Sequence, residues 1–193
     1  MKNSTKILSL GLLFSSSLFA NWELDTKQSE VSYLSTKIFK GSTASATEKN
    51  VFKAVTGTVS KNGTAKLNIQ LSSVETNIPI RNERMIKHVF QTDKFPSATI
   101  EAKLPEALLK QGQHRAEIEG LLSLHGKSAK IKIPMTIDVN AEGKIVATST
   151  SPILLSAQTF AFNDGLKKLT ELAGLEFITT TVPVSFVLSF NKQ

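Results

Sequence analysis

The sequence predicts an all-β domain of about eight antiparallel strands, closed as a barrel or packed as a sandwich, with one or two short helices. Segments in which apolar and polar residues alternate recur along the chain, as strands with one dry and one wet face require. Turn residues separate them at short intervals, and only two stretches change to helical spacing.

The first strand is expected over residues 22–39, followed by a polar loop from Gly41 to Asn50. A second strand over 51–59 and a third over 65–71 flank Asn62-Gly63, a pair suited to a tight type I′ hairpin turn with two positive φ angles. In the third strand Leu67, Ile69 and Leu71 share the inner face, and Lys66, Asn68 and Gln70 the outer. Met85, Ile86, Val89 and Phe90 recur at helical spacing, which predicts a helix over Arg81 to Phe90.

Strands over 97–104, 115–124 and 129–139 follow, with Gln111-Gly112-Gln113 and Asn140-Ala141-Glu142-Gly143 as turns. Ile118, Leu122 and Leu124 face inward on the first side of this pairing, and Ile131, Ile133, Met135 and Ile137 on the other. After a strand over 144–156, Asp164 to Leu175 reads as a second helix, capped by Asn163 or Asp164 and stopped by Gly174. The last strand, 177–190, points Val182, Val184, Phe186, Leu188 and Phe190 inward. Pro183 cannot donate to a ladder, so it belongs at the strand's entry, at a bulge or on an unpaired edge.

Residues 1–20 carry Lys2 and Lys6, an apolar run from Ile7 to Phe14 and a Ser-rich exit ending at Ala20. This is the pattern of a secretory signal peptide, too short to span a bilayer, and it predicts export with a mature domain over 21–193. The domain contains no cysteine, so disulfides, thiolate nucleophiles and Cys-ligated metals are excluded. The net charge of +7 includes the two leader lysines. The remaining cations are scattered singly, without the interleaved aromatics of a single-strand nucleic-acid site, so no nucleic-acid partner is expected.

Catalysis has no positive support. His88, His114 and His125 are far apart, each read as a surface or capping histidine, and no nucleophile elbow, metal-ligand helix or phosphate loop is present. The one dense polar group is Arg81-Asn82-Glu83-Arg84 with Lys87 and His88. Helical spacing aligns Arg81, Arg84 and His88, which suits either an anion or a helix held by ion pairs.

Leu71-Ser72-Ser73-Val74-Glu75-Thr76-Asn77, Ile80-Arg81-Asn82-Glu83-Arg84-Met85, Phe90 and Phe95-Pro96-Ser97-Ala98-Thr99-Ile100 follow in order, with Gly120 to Lys127 downstream. This string resembles the YceI-like family from about Trp22 to Phe190. The resemblance implies an extended, lipocalin-like antiparallel barrel that holds a polyisoprenoid, an isoprenoid quinone precursor or a fatty-acid-like lipid, in a periplasmic or secreted setting. The chain departs from the family pattern in lacking a histidine in Ser35-Thr36-Lys37-Ile38, in having Asn82 where an acid is common, and in its helical stretch before Leu175.

The expectation is therefore a non-enzymatic periplasmic carrier with no cofactor beyond a bound lipid. Leu67, Ile69, Ile118, Leu122, Ile131, Ile133, Met135, Val184 and Phe186 would line its tunnel, and Arg81, Arg84 and His88 would meet the head group. Transient contact with a membrane or membrane protein suits such a role; the oligomeric state is open, a dimer being compatible. The alternative is a periplasmic stress or interaction protein whose barrel is filled by its own side chains.

Overall fold

A computed structural model of the chain describes residues 22–193; the expected signal segment and Asn21 lie outside the described residues. The described residues form one antiparallel sheet that closes on itself as an eight-strand barrel with two short helices. Several of the eight strands bend or break, and each of these comprises two segments.

β1 (Trp22–Leu24) and β2 (Glu30–Phe39) are one such strand, bent at a turn where Lys27 and Gln28 donate to Asp25. β3 (Ser45–Phe52) and β4 (Val55–Val59) are the next, broken where the Lys53 and Ala54 amides bond Ser73. β5 (Thr64–Gln70) continues through a single helical turn into β6 (Val74–Glu75). β7 (Ser97–Lys103), β8 (Gly112–Leu124) and β9 (Lys127–Val139) are unbroken. β10 (Ile145–Ser149) with β11 (Ile153–Ser156), and β12 (Leu175–Ile178) with β13 (Thr181–Lys192), complete the ring. β13 closes it by pairing with β10 on one side and with β1 and β2 on the other.

Ser45–Phe52 corrects the expected polar loop over 41–50. It pairs with β2 along its whole length, from Val31↔Phe52 to Ile38↔Ser45. Alternation concealed it because the residues facing those of β2's inner face include Ala46, Glu48 and Asn50, two of them polar. Pro183 lies near the start of β13, opposite Leu154, and β13 joins β2 only from Val184 onward. Its missing donor is thus outside that ladder.

The Asn62-Gly63 hairpin differs from the expected type I′ turn. Asn62 is not left-handed; the Gly63 amide donates to the Ser60 carbonyl (2.8 Å) and Gly63 alone has positive φ, +83°. This is a type I turn closed by a glycine bulge, held by Asn62 Oδ1, which accepts from Ser60 Oγ at 2.6 Å and the Thr64 amide at 3.0 Å. Asn140 to Gly143 repeats the hydrogen-bond pattern. The two-residue turn with both φ positive is instead His125-Gly126 (+51° and +71°), between Leu124 and Lys127.

α1 (Pro79–Arg84) begins with Pro at its first position and runs on through a π-helical turn, Met85–Phe90, that ends at left-handed Gln91. α2 (Asn163–Ala173) ends at left-handed Gly174 as expected, but its N-cap is Phe162, with no side-chain cap from Asn163 or Asp164. The two helices meet at Gly165, where a Cβ would lie 2.5 Å from the His88 carbonyl oxygen.

A Cβ at Gly63 would fall 1.9 Å from the Leu104 carbonyl oxygen, and φ is left-handed there. Gly63→Ala is expected to destabilise the protein by about 2 kcal/mol or more, lowering Tm by roughly 5 °C, as read by thermal unfolding in circular dichroism.

Candidate functional site

The barrel interior is hollow. Its inward side chains surround a cavity of about 620 Å³, within the ~300–1,000 Å³ range of small-molecule sites. Of the side chains expected there, Leu67, Ile69, Leu122, Ile131, Ile133, Met135, Val184 and Phe186 line it. Leu71, Leu124, Ile137, Val182, Leu188 and Phe190 line it too. Ile118 is buried but is not a lining residue. It pairs with Ile133 across β8 and β9, next to Gly120, where a Cβ would lie 2.8 Å from Ile133 Cδ1. Ile118 therefore shares the inward face of Ile133 and belongs to the packed core beside the cavity.

The two ends of the barrel differ. At one, Trp22 is buried outside the cavity and its indole donates to the Gly143 carbonyl at 2.6 Å, securing β1 against the β9–β10 turn. At the other, the end of β2, α1 and the C-terminus of α2 contribute Phe39, Ile78, Ile80, Arg84 and Leu172, all lining residues. The four apolar ones are also solvent-exposed, so this end is the mouth.

One wall is polar. β2 and β3 place Tyr33 opposite Asn50 and Ser35 opposite Glu48, with Lys37 one step further out, and Arg81 reaches over them from α1. Glu48 accepts from Lys37 at 3.0 Å and from Arg81 Nη1, while Arg81 Nη2 donates to the Thr76 carbonyl at 2.5 Å. Burial acts to raise the Glu48 carboxyl, but the hydrogen bonds and charges of Lys37 and Arg81 outweigh it and hold the group below its ordinary range. Burial pushes the Tyr33 phenol up, and its hydroxyl donates to Met85 Sδ at 3.3 Å. Asn50 is 3% exposed; its amide nitrogen bonds the Glu48 carbonyl at 3.3 Å.

Asn82 explains why an amide works where an acid is common. Its Oδ1 accepts from the Thr76 amide (2.9 Å) and Thr76 Oγ1 (2.5 Å), and its Nδ2 donates to Glu75 at 3.1 Å. A carboxylate would lack that last donor. The network fixes the start of α1 and therefore aims Arg81.

Arg84 lines the cavity and donates to the Leu172 carbonyl at 3.2 Å, bridging the helices across the mouth. His88 is not a lining residue. It lies in the π-helical turn, where its backbone carbonyl faces Gly165 of α2. His125 is also not the surface or capping group expected. It is buried, its ring lying between Phe95 (4.4 Å) and Phe162 (4.8 Å), and its Nδ1 donates to the Phe160 carbonyl at 3.0 Å.

Comparison with known proteins places this geometry. The YceI-like domain model matches residues 22–190. Among solved structures, a polyisoprenoid-binding domain from Saccharophagus degradans, implicated in plant cell wall breakdown, is 30% identical with a TM-score of 0.82, covering 90% of this chain and 99% of that one. Burkholderia cenocepacia BcnA is 19% identical with a TM-score of 0.66 over 86% of this chain and 98% of its own. The Campylobacter jejuni YCEI protein is 16% identical with a TM-score of 0.54 over 75% and 85%. These last two share the fold. No curated protein matches the chain.

Because the folded Glu48 carboxyl titrates below its usual value of 4.5, its contribution is present above that pH and is lost as pH falls through the folded value. Thermal melts between pH 6 and 3 are expected to show a steeper acid loss of Tm in the parent than in Glu48→Gln.

Proposed function

This chain belongs to the YceI-like domain family, and from that premise we propose that it is a non-enzymatic periplasmic carrier of a long-chain amphiphilic lipid. The supporting observation is the cavity itself: about 620 Å³ enclosed almost entirely by aliphatic and aromatic side chains, open at one end and bordered there by a polar wall.

The magnitudes favour an apolar occupant. An alkyl or prenyl chain contributes about 0.8 kcal/mol for each buried methylene, so ten carbons supply about 8 kcal/mol before the cost of ordering the chain. That gross figure is the micromolar scale, so a tail longer than ten carbons is what keeps such affinity once the ordering cost is subtracted. The tail lies along Leu67, Ile69, Ile131, Ile133, Met135, Val184 and Phe186. The head group remains beside Arg81, near the mouth.

The exposed Phe39, Ile78, Ile80 and Leu172 around the opening supply an apolar rim that suits transient contact with the membrane from which the lipid is drawn. Prenyl and acyl tails satisfy the same walls. The polyisoprenoid-binding relative favours the prenyl class. Export by the segment 1–20 would put the carrier between a membrane source and its acceptor.

Native mass spectrometry of the protein purified without detergent, followed by solvent extraction, is expected to release a discrete isoprenoid or acyl lipid. An unladen mass that persists after incubation with isoprenoid quinones and fatty acids would overturn the carrier reading in favour of an interaction protein. Ile133→Trp is expected to abolish lipid uptake by filling the tunnel while far-ultraviolet circular dichroism stays unchanged.

A further inference from the structure

Two buried polar atoms of the cavity wall have no partner: Asn50 Oδ1, an acceptor, and Arg81 Nε, a donor. Both residues line the cavity, and both are tied to Glu48, Asn50 through the backbone carbonyl and Arg81 through the carboxylate. A buried group left unpaired costs about 1–3 kcal/mol, and the deficit is removed by any ligand that supplies the complementary group. We propose that Asn50 and Arg81 form the head-group site and that it selects an uncharged head bearing a hydroxyl or primary amide, which donates to Asn50 Oδ1 and accepts from Arg81 Nε. This deepens, and rests on, the lipid-carrier reading.

The charges on the same wall argue against an anion. Lys37 and Arg81 both direct their charge onto Glu48, which stays ionised at neutral pH. A diphosphate or carboxylate entering here would face that carboxylate and Asn50 Oδ1, and the Arg81 charge it would seek is already paired with Glu48. Lys66 pairs with Glu101 at 3.3 Å, and Arg84 lies further out, bonded to the Leu172 carbonyl. Tyr33 keeps its hydroxyl oxygen available as a further acceptor while it donates to Met85. The unmet need is therefore one donor to Asn50 and one acceptor for Arg81, which a hydroxyl or a primary amide carries in one head group and an ether or an anion does not.

The test uses the lipid-stripped protein with three probes that share one tail: geranylgeraniol, its methyl ether and geranylgeranyl diphosphate, titrated at neutral pH. The alcohol is expected to bind at least roughly tenfold tighter than either of the others. Asn50→Leu should reduce alcohol binding to the level of the ether and leave ether binding as it was, with a melt confirming that the variant is folded. Equal affinities for alcohol and ether, or tightest binding of the diphosphate, would overturn the head-group assignment, the latter pointing to Arg84. Failure of all three probes to bind would instead overturn the carrier reading beneath it. The parent series decides the question even where Asn50→Leu does not fold.

Discussion

Ring closure through β13 is the constraint on which the remaining structure depends. β13 is long enough to serve two neighbours on one side, pairing Trp22 to Leu24 near its C-terminus and Glu30 to Tyr33 nearer its start. The bend at Asp25 to Ser29 lets a single strand follow it around the barrel. Closure joins the two ends of the sheet and turns most inward residues toward one shared volume. Eight strands place the walls just far enough apart that side chains of medium length do not meet at the centre. The hollow interior thus follows from strand number together with the choice of Leu, Ile, Val and Met over larger residues at most inward positions.

The polar wall is the second consequence. β2 and β3 extend past the ring toward the mouth, so their inner faces can carry Ser35, Lys37, Glu48 and Asn50 without burying charge in the apolar interior. Lys37, Glu48 and Arg81 neutralise much of one another, which makes their shared position near the entrance tolerable. The helical cover is held by buried apolar side chains, Met85, Val89, Phe90, Phe162 and Leu169, and by hydrogen bonds at its ends. Asn82 holds the start of α1, Arg84 ties α1 to α2, and the close approach at Gly165 lets α2 lie directly on the π-helical turn.

Most of the barrel was legible from alternation, because each of its long strands has one wet face. Leu67, Ile69, Ile131, Ile133 and Met135 could be oriented from their neighbours alone, and all reach the cavity. The signal failed where function takes over the inner face. β3 reads as a loop since Glu48 and Asn50 occupy positions that a filled barrel would give to apolar residues, and these two are among the wall residues sequence reasoning missed, with Tyr33, Ser35 and Lys37 opposite or beside them. A polar residue facing a Tyr or Ser across a strand pair is only recognisable once register is known. His88 was misplaced for a different reason: it lies on the π-helical turn beyond α1, against α2, and helical spacing alone does not show what a helix packs on. His125 shows that a histidine can supply the left-handed residue of a tight turn and be buried there, a use that spacing motifs do not detect.

The chain has one tryptophan, and its position has an optical consequence. Trp22 lies on the closing seam, buried at the sealed end and bonded to Gly143, and it is not part of the cavity wall. Its fluorescence is therefore a reporter of whether the ring is shut, blind to what the ring contains. Tyr33, set in the wall beside the polar residues, is the intrinsic chromophore that faces the contents. The molecule carries separate optical labels for being folded and for being loaded, one outside the cavity of the barrel and one in its wall.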